Sequence, residues 1–150
     1  MGGIFRLDLD VMVLKGFERV PLGDNGQLIY AVSDRVIEEV TKSIRAGAEF
    51  DPVIVEPDYE EAMGYRLSFV YNKNKGVWEG GHIRAIAHFI EGVPLRCRTK
   101  TKEDYELVPI PALKFYPLSQ YLILDDSLFA EKGLGLERRM EVWQMNGRQS

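Results

Sequence analysis

The sequence predicts a single mixed α/β (α+β) domain spanning residues 1–150, with residues 100–150 as a C-terminal extension packed on the core. Three observations carry this reading. Short runs alternate apolar and polar residues with a period of two, and two longer runs repeat apolar residues at helical spacing. Gly, Asn and Pro clusters punctuate them in the order strand, strand, helix, strand, strand, helix, strand.

In the first run Phe5, Leu7, Leu9, Val11 and Val13 alternate with Arg6, Asp8, Asp10 and Met12, the pattern of a half-buried strand. The turn residues at 23–26 (GDNG) precede "QLIYAV", a second strand expected to fold back on the first as a hairpin. Ser33 is placed to cap "DRVIEEVTKSIRA", whose Val36, Ile37, Val40 and Ile44 form one helical stripe. Asp34, Glu38 and Glu39 suit its positive end, Lys42 and Arg45 the negative end, and Gly47 its termination. "PVIVEP" reads as a short strand, Tyr65, Leu67, Phe69 and Tyr71 as an alternating one, and "NKNKG" as a turn into "VWE". Gly80 and Gly81 then open a second helix with the stripe Ile83, Ile86, Ala87 and Ile90, closed by Gly92. In "VPLRCRT" Leu95 and Cys97 are expected to face inward, Arg96 and Arg98 outward. Beyond residue 100, "VPIPALKFYP" has too much proline for a central strand. "LSQYLILDDSLFAEKG" suits helix or strand, Asp125-Asp126 suits a helix cap or turn, and Leu136, Met140 and Trp143 suggest a terminal helix.

The charge is unevenly distributed. The whole chain carries −4, yet the window from Gly80 to Lys102 sets five cations against Glu91 alone, net +4, and leaves −8 for the rest. Such a chain is not built to hold duplex DNA by general phosphate attraction, although it has room for a local anion site. The lone Cys97 can form no intrachain disulfide, no apolar run reaches the length of a membrane span, and "MGGIFRLDLD" lacks the character of a signal peptide. These features predict a cytoplasmic protein.

The chemistry concentrates in "WEGGHIRAIAHFIEG" at 78–92. Adjacent glycines let backbone N–H groups approach a ligand, and a helix start adds unsatisfied donors with partial positive charge. Arg84 offers a two-pronged fork for phosphate, and His82 a donor or catalytic proton carrier. Gly80, Gly81, His82 and Arg84 are therefore the candidate binding residues, with His82 the candidate catalytic one; the same pattern also describes a plain strand-to-helix turn. No metal ligands are assigned: His82 and His88 stand about 240° apart around a helix, and Asp8 with Asp10 reads first as a solvated strand face. Cys97 between two arginines reads first as core, and Trp78 as a buried strand residue before a base-stacking one.

The run "SIRAGAEFDPVIV", a strand pair, and "GGHIRAIAHFIEGVPLRC" together resemble the ParB/sulfiredoxin superfamily over about Val32 to Arg98. The resemblance implies a mixed sheet with two main helices and binding of nucleotide phosphates (ATP, ADP or CTP, with Mg²⁺) at the glycine-led helix. It also implies phosphoryl-transfer or NTPase chemistry. Where sulfiredoxins have Gly-Gly-Cys-His-Arg this chain has Gly80-Gly81-His82-Ile83-Arg84, so the reactive Cys position is His82, and sulfinic acid reduction is not expected. Gly81 and Arg84 are the positions common to the family's variants. Partition proteins carry a helix-turn-helix after this module, but residues 100–150 hold seven Lys and Arg against eight acids and no such pattern. The expected partner is thus a small phosphorylated ligand rather than a DNA sequence or a membrane, with a homodimer compatible. The alternative is a non-catalytic interaction module, or a plasmid- or phage-DNA accessory protein, with a degenerate site and contacts through Phe115 to Tyr121.

Overall fold

A computed structural model describes residues 3–9, 14–17, 20–22, 27–58, 64–68, 70–72, 77–101 and 115–131. Among them the chain forms a mixed α+β fold with three helices. The elements are β1 (Ile4–Leu7), β2 (Leu14–Phe17), β3 (Val20–Leu22), β4 (Gln27–Ser33), α1 (Asp34–Arg45), β5 (Val53–Asp58), β6 (Gly64–Leu67) and β7 (Val70–Asn72). There follow β8 (Val77–Glu79), α2 (His82–Glu91), β9 (Leu95–Thr99), β10 (Phe115–Pro117), β11 (Tyr121–Leu124) and α3 (Asp126–Glu131).

Six strands make the main sheet in the order β1-β9-β5-β6-β2-β10, while β11-β4-β3 and the pair β7-β8 form smaller sheets. At its centre β5 and β9 run parallel, and β1 closes on β9 antiparallel with Arg6 opposite Arg96. Val53, Val55, Leu67, Leu95 and Cys97 project from one face of this sheet into the core, where they meet Ile86 of α2 and Ile37 and Ile44 of α1. The opposite face of β5 and β6 is charged: Asp58 pairs with Lys15 at 3.0 Å, and Glu56 lies 3.7 Å from Arg66. Alternation along β5 thus turns Val53 and Val55 to the helices, and Glu56 and Asp58 to the other face beside buried Ile54.

Ser33 caps α1, accepting from the Val36 N–H at 3.4 Å. The same hydroxyl donates to Asp126 at the start of α3, and the Asp126 N–H donates to Asp34 Oδ1 at 2.9 Å. Two helix starts thereby satisfy one another's donors. Asp125 caps α3 through the Ser127 N–H at 3.0 Å, as its place before the helix suggests.

Four expectations need correction. The opening alternation is not one strand: β1 ends at Leu7 and β2 begins at Leu14, with residues 10–13 outside the described set. The strand before the 23–26 turn is β3, not β1, so the hairpin partner of β4 is Val20–Leu22. The Tyr65–Tyr71 alternation divides between two sheets: Tyr65 and Leu67 lie on β6, which pairs with β5 and β2, whereas Tyr71 lies on β7, which pairs with β8. The expected stripe of α2 holds at Ile86 and Ala87, both fully buried, and at Ile83, which packs on the core, but Ile90 is 39% exposed while His82, Ala85 and His88 are buried. Two histidines beside that stripe meet aromatic rings inside, Tyr30 and Phe50, so the buried side is wider than hydropathy alone marks.

Past residue 100, β10 pairs antiparallel with β2 at the sheet edge, where Pro117 is tolerated, and β11 pairs parallel with β4. Leu118 joins the main core. The expected terminal helix around Leu136 to Trp143 and the turn at 23–26 lie outside the described residues.

Candidate functional site

The start of α2 is built by packing. Gly81 is the N-cap, with φ of 73°, a left-handed conformation that favours glycine. A Cβ there would sit 2.5 Å from Val53 Cγ1, so the position excludes any side chain on two counts. Gly80 is buried beside it. His82 is 3% exposed; its ring stacks on Tyr30 with centroids 4.6 Å apart and planes 14° from parallel. Gly16 of β2 provides the space: a Cβ would fall 2.8 Å from the His82 ring and 2.4 Å from Leu118. Tight packing on three sides gives His82 a core setting.

Arg84 turns another way. Its guanidinium donates to the Asp51 carbonyl at 2.6 Å and lines a concavity of about 200 Å³. Arg6 of β1 and Arg96 of β9 line the same concavity, and so does His88. The topology explains the convergence. Parallel β5 and β9 begin at the same edge of the sheet, antiparallel pairing puts Arg6 opposite Arg96, and Arg84 and His88 share a helix face four residues apart. The far wall is the loop between α1 and β5. Arg96 donates to the Phe50 carbonyl at 3.1 Å, and Arg6 pairs with the Glu49 carboxylate at 3.2 Å. Three guanidiniums from three elements thus hold residues 49–51.

His88 is 9% exposed, with Nδ1 2.7 Å from the Arg84 carbonyl. A carbonyl can only accept, so Nδ1 carries the proton and Nε2 is the acceptor in the neutral ring. The edge of Phe50 meets the same imidazole at 6.3 Å between centroids.

Gly80, Gly81 and His82 are not among the residues lining the concavity, although Arg84 is. Val53 connects the two regions, since it abuts Gly81 and also lines the concavity. The sequence reading missed Arg6, Glu49 and His88 as members of one site. Their signal was weak: Arg6 is one polar residue of an alternating strand, and only a β1–β9 pairing brings it beside Arg96.

Cys97 is fully buried, and burial pushes its thiol up to about 12, opposed by the positive charge of Arg84. It stays protonated and unreactive at neutral pH. Arg98, its outward neighbour, donates to the Thr99 carbonyl at 3.4 Å. The Trp78 side chain and Asp10 lie outside the described set. Among the described residues no three His, Cys, Asp or Glu side chains gather where a metal ion could be held, and no helix is long and apolar enough to cross a membrane.

Comparison with protein families, curated proteins and solved structures finds no match.

Proposed function

We propose that this protein binds a nucleotide or another phosphorylated ligand in the manner of the ParB/sulfiredoxin superfamily, with Arg84 as the charged clamp. The observation that carries the reading is the meeting of Arg84, Arg6 and Arg96 around one concavity. Guanidiniums are planar forks that match phosphate oxygens two at a time, and each has five N–H donors. The described bonds to the Asp51 and Phe50 carbonyls orient Arg84 and Arg96, which lowers the entropy lost on binding. The order α1, β5, β6, the β7–β8 pair, α2, β9 keeps the resemblance's helix, strand, strand pair, helix and strand in sequence, with β6 added.

The concavity fits the phosphate end of such a ligand. Drug-sized ligands occupy sites of roughly 300–1,000 Å³, so about 200 Å³ suits a phosphate group better than an entire nucleotide. Any Mg²⁺ would then arrive with the phosphates, in keeping with its usual mode of binding. His88 Nε2 is the acceptor that phosphoryl transfer or nucleotide hydrolysis would use there. Gly81 contributes through Val53, by fixing the wall.

The interaction-module alternative gains little from the segment 115–121. Leu118 is buried, and Tyr116, Pro117 and Tyr121 are half-buried within the protein's own sheets. Among the described residues, none of the exposed large apolar ones, Ile4, Ile90, Val93, Ile123 and Leu128, lies in that segment's strand β10.

A thermal-shift screen of the full chain against ATP, ADP, CTP and inorganic phosphate, with Mg²⁺, tests the reading, since a ligand selective for the native state raises the melting temperature. Arg84→Ala should weaken the observed binding by about 1.5–3 kcal/mol, the worth of a hydrogen bond to a charged group. Undiminished binding by that variant would reject Arg84 as the clamp.

A further inference from the structure

Resting on the reading of Arg84 as a phosphate clamp, the geometry points to a narrower assignment. We propose that the concavity is a seat for a phosphate-sized dianion, either free phosphate or a phosphomonoester group, and that Glu49 is an internal competitor which the ligand displaces from Arg6.

Charge and register lead to the first half. Arg6 and Arg96 are direct partners across the antiparallel β1–β9 ladder. Opposite residues in such a pair hold their Cβ atoms about 4.5–5.5 Å apart, and like charges there repel. Arg84 brings a third guanidinium to the same concavity, which Glu49 and Asp51 also line, so three Arg side chains meet two acids there. A compact dianion between these groups would relieve the repulsion more effectively than a single negative charge. The volume of about 200 Å³ favours a compact group.

Glu49 supplies the second half. Its carboxylate lies 3.2 Å from Arg6, with side-chain exposures of 66% and 59%, so water competes on both partners. An ion pair so exposed is worth little, and a carboxylate is a weaker match than phosphate for a guanidinium already near two others. Glu49 also lines the concavity, within the loop that Arg84 and Arg96 hold by its next two carbonyls. Release of the Glu49 side chain would leave those two bonds intact. The loop can thus open Arg6 to a ligand without unfolding.

Isothermal titration of the full chain with sodium phosphate, at fixed ionic strength, is the direct test. Glu49→Gln removes the competitor at an exposed position where folding is not at risk. It should tighten phosphate binding by about threefold, the factor an exposed ion pair represents. Arg6→Gln should weaken it by about tenfold, in line with a charged hydrogen bond. Adenosine monophosphate and ATP form the second arm: equal affinity for phosphate and the nucleotides assigns the seat to the anion alone, and tighter nucleotide binding that phosphate still displaces assigns it to a phosphoester. Unchanged or weaker phosphate binding by Glu49→Gln overturns the competitor role. Nucleotide binding that depends on Arg84 but is neither displaced by phosphate nor altered by Arg6→Gln overturns the seat and leaves the proposed function standing. If neither the native protein nor Glu49→Gln binds phosphate or nucleotide, both fall.

Discussion

The two histidines of α2 lie six residues apart on one helix and meet opposite surroundings. His82 is enclosed by Tyr30, Gly16 and the turn at Gly81, while His88 lines an open, arginine-rich concavity. Both are nearly buried, at 3% and 9% exposure, so burial does not distinguish them. What distinguishes them is rotation: six residues turn a helix through about 240°, and the sheet edge carrying Arg6 and Arg96 lies on the His88 side. A chemically capable residue becomes a site residue through the face it shares with others.

The contrast would be broken most forcefully at Gly81. Gly81→Val forces a β-branched residue into left-handed backbone and drives Val53 from its place. The combined strain and overpacking should cost about 3 kcal/mol or more in urea unfolding. Because Val53 also lines the concavity, the folded fraction should bind phosphate less well. A variant as stable as the parent would mean that the turn does not depend on glycine.

His82→Ala sharpens the comparison. Removing the ring leaves a void between Tyr30 and Gly16, and should cost about 2 kcal/mol, the low end for large-to-small core changes. Anion affinity, measured by titration of the folded variant, should be unchanged. Loss of anion affinity in the folded His82→Ala variant would erase the distinction between the two faces.

The smallest effect concerns Cys97, on the core side of the same strand as Arg96. Cys97→Ala should cost about 1 kcal/mol and leave binding intact. In the folded protein the thiol is raised from its ordinary value of 9.0 to about 12. Its contribution to stability is therefore complete below pH 9.0 and is lost as pH rises through about 12. Unfolding followed across that range should show a decline that Cys97→Ala lacks. Rapid alkylation of the native thiol near neutral pH would instead expose a reactive cysteine.

Much of the fold was legible because local chemistry agreed with tertiary packing. Ser33, the Val36–Ile44 stripe and Gly47 mark α1 without ambiguity, and Leu95 and Cys97 alternate as a strand facing a core must. Sequence reasoning failed where a distant partner decides. The Tyr65–Tyr71 alternation spans β6, which pairs with β5 as far as Ser68 opposite Ile54, and β7, which pairs with β8 in another sheet, and nothing in the alternation records that change of partner. Within the site, Arg84 could be singled out from its place after two glycines. Arg6 and Glu49 could not, since their association needs β1 beside β9 and α1 joined to β5 by a loop over that edge.

The interlocked starts of α1 and α3 have a consequence for how the chain is made. Ser33 and Asp126 stand 93 positions apart, yet the Ser33 hydroxyl donates to Asp126 and Asp34 accepts the Asp126 N–H, and β10 and β11 come from the same late stretch. At a synthesis rate of about 5–20 residues per second, β2 and β4 emerge several seconds before β10 and β11, each of which covers one side of its partner. During that interval each presents a bare hydrogen-bonding edge, the usual template for pairing with another chain. Contacts of such long span also delay closure by raising contact order. A nascent chain of this protein should therefore be held in check by a chaperone until residues 115–131 have left the ribosome, and self-association on refolding should rise steeply with concentration.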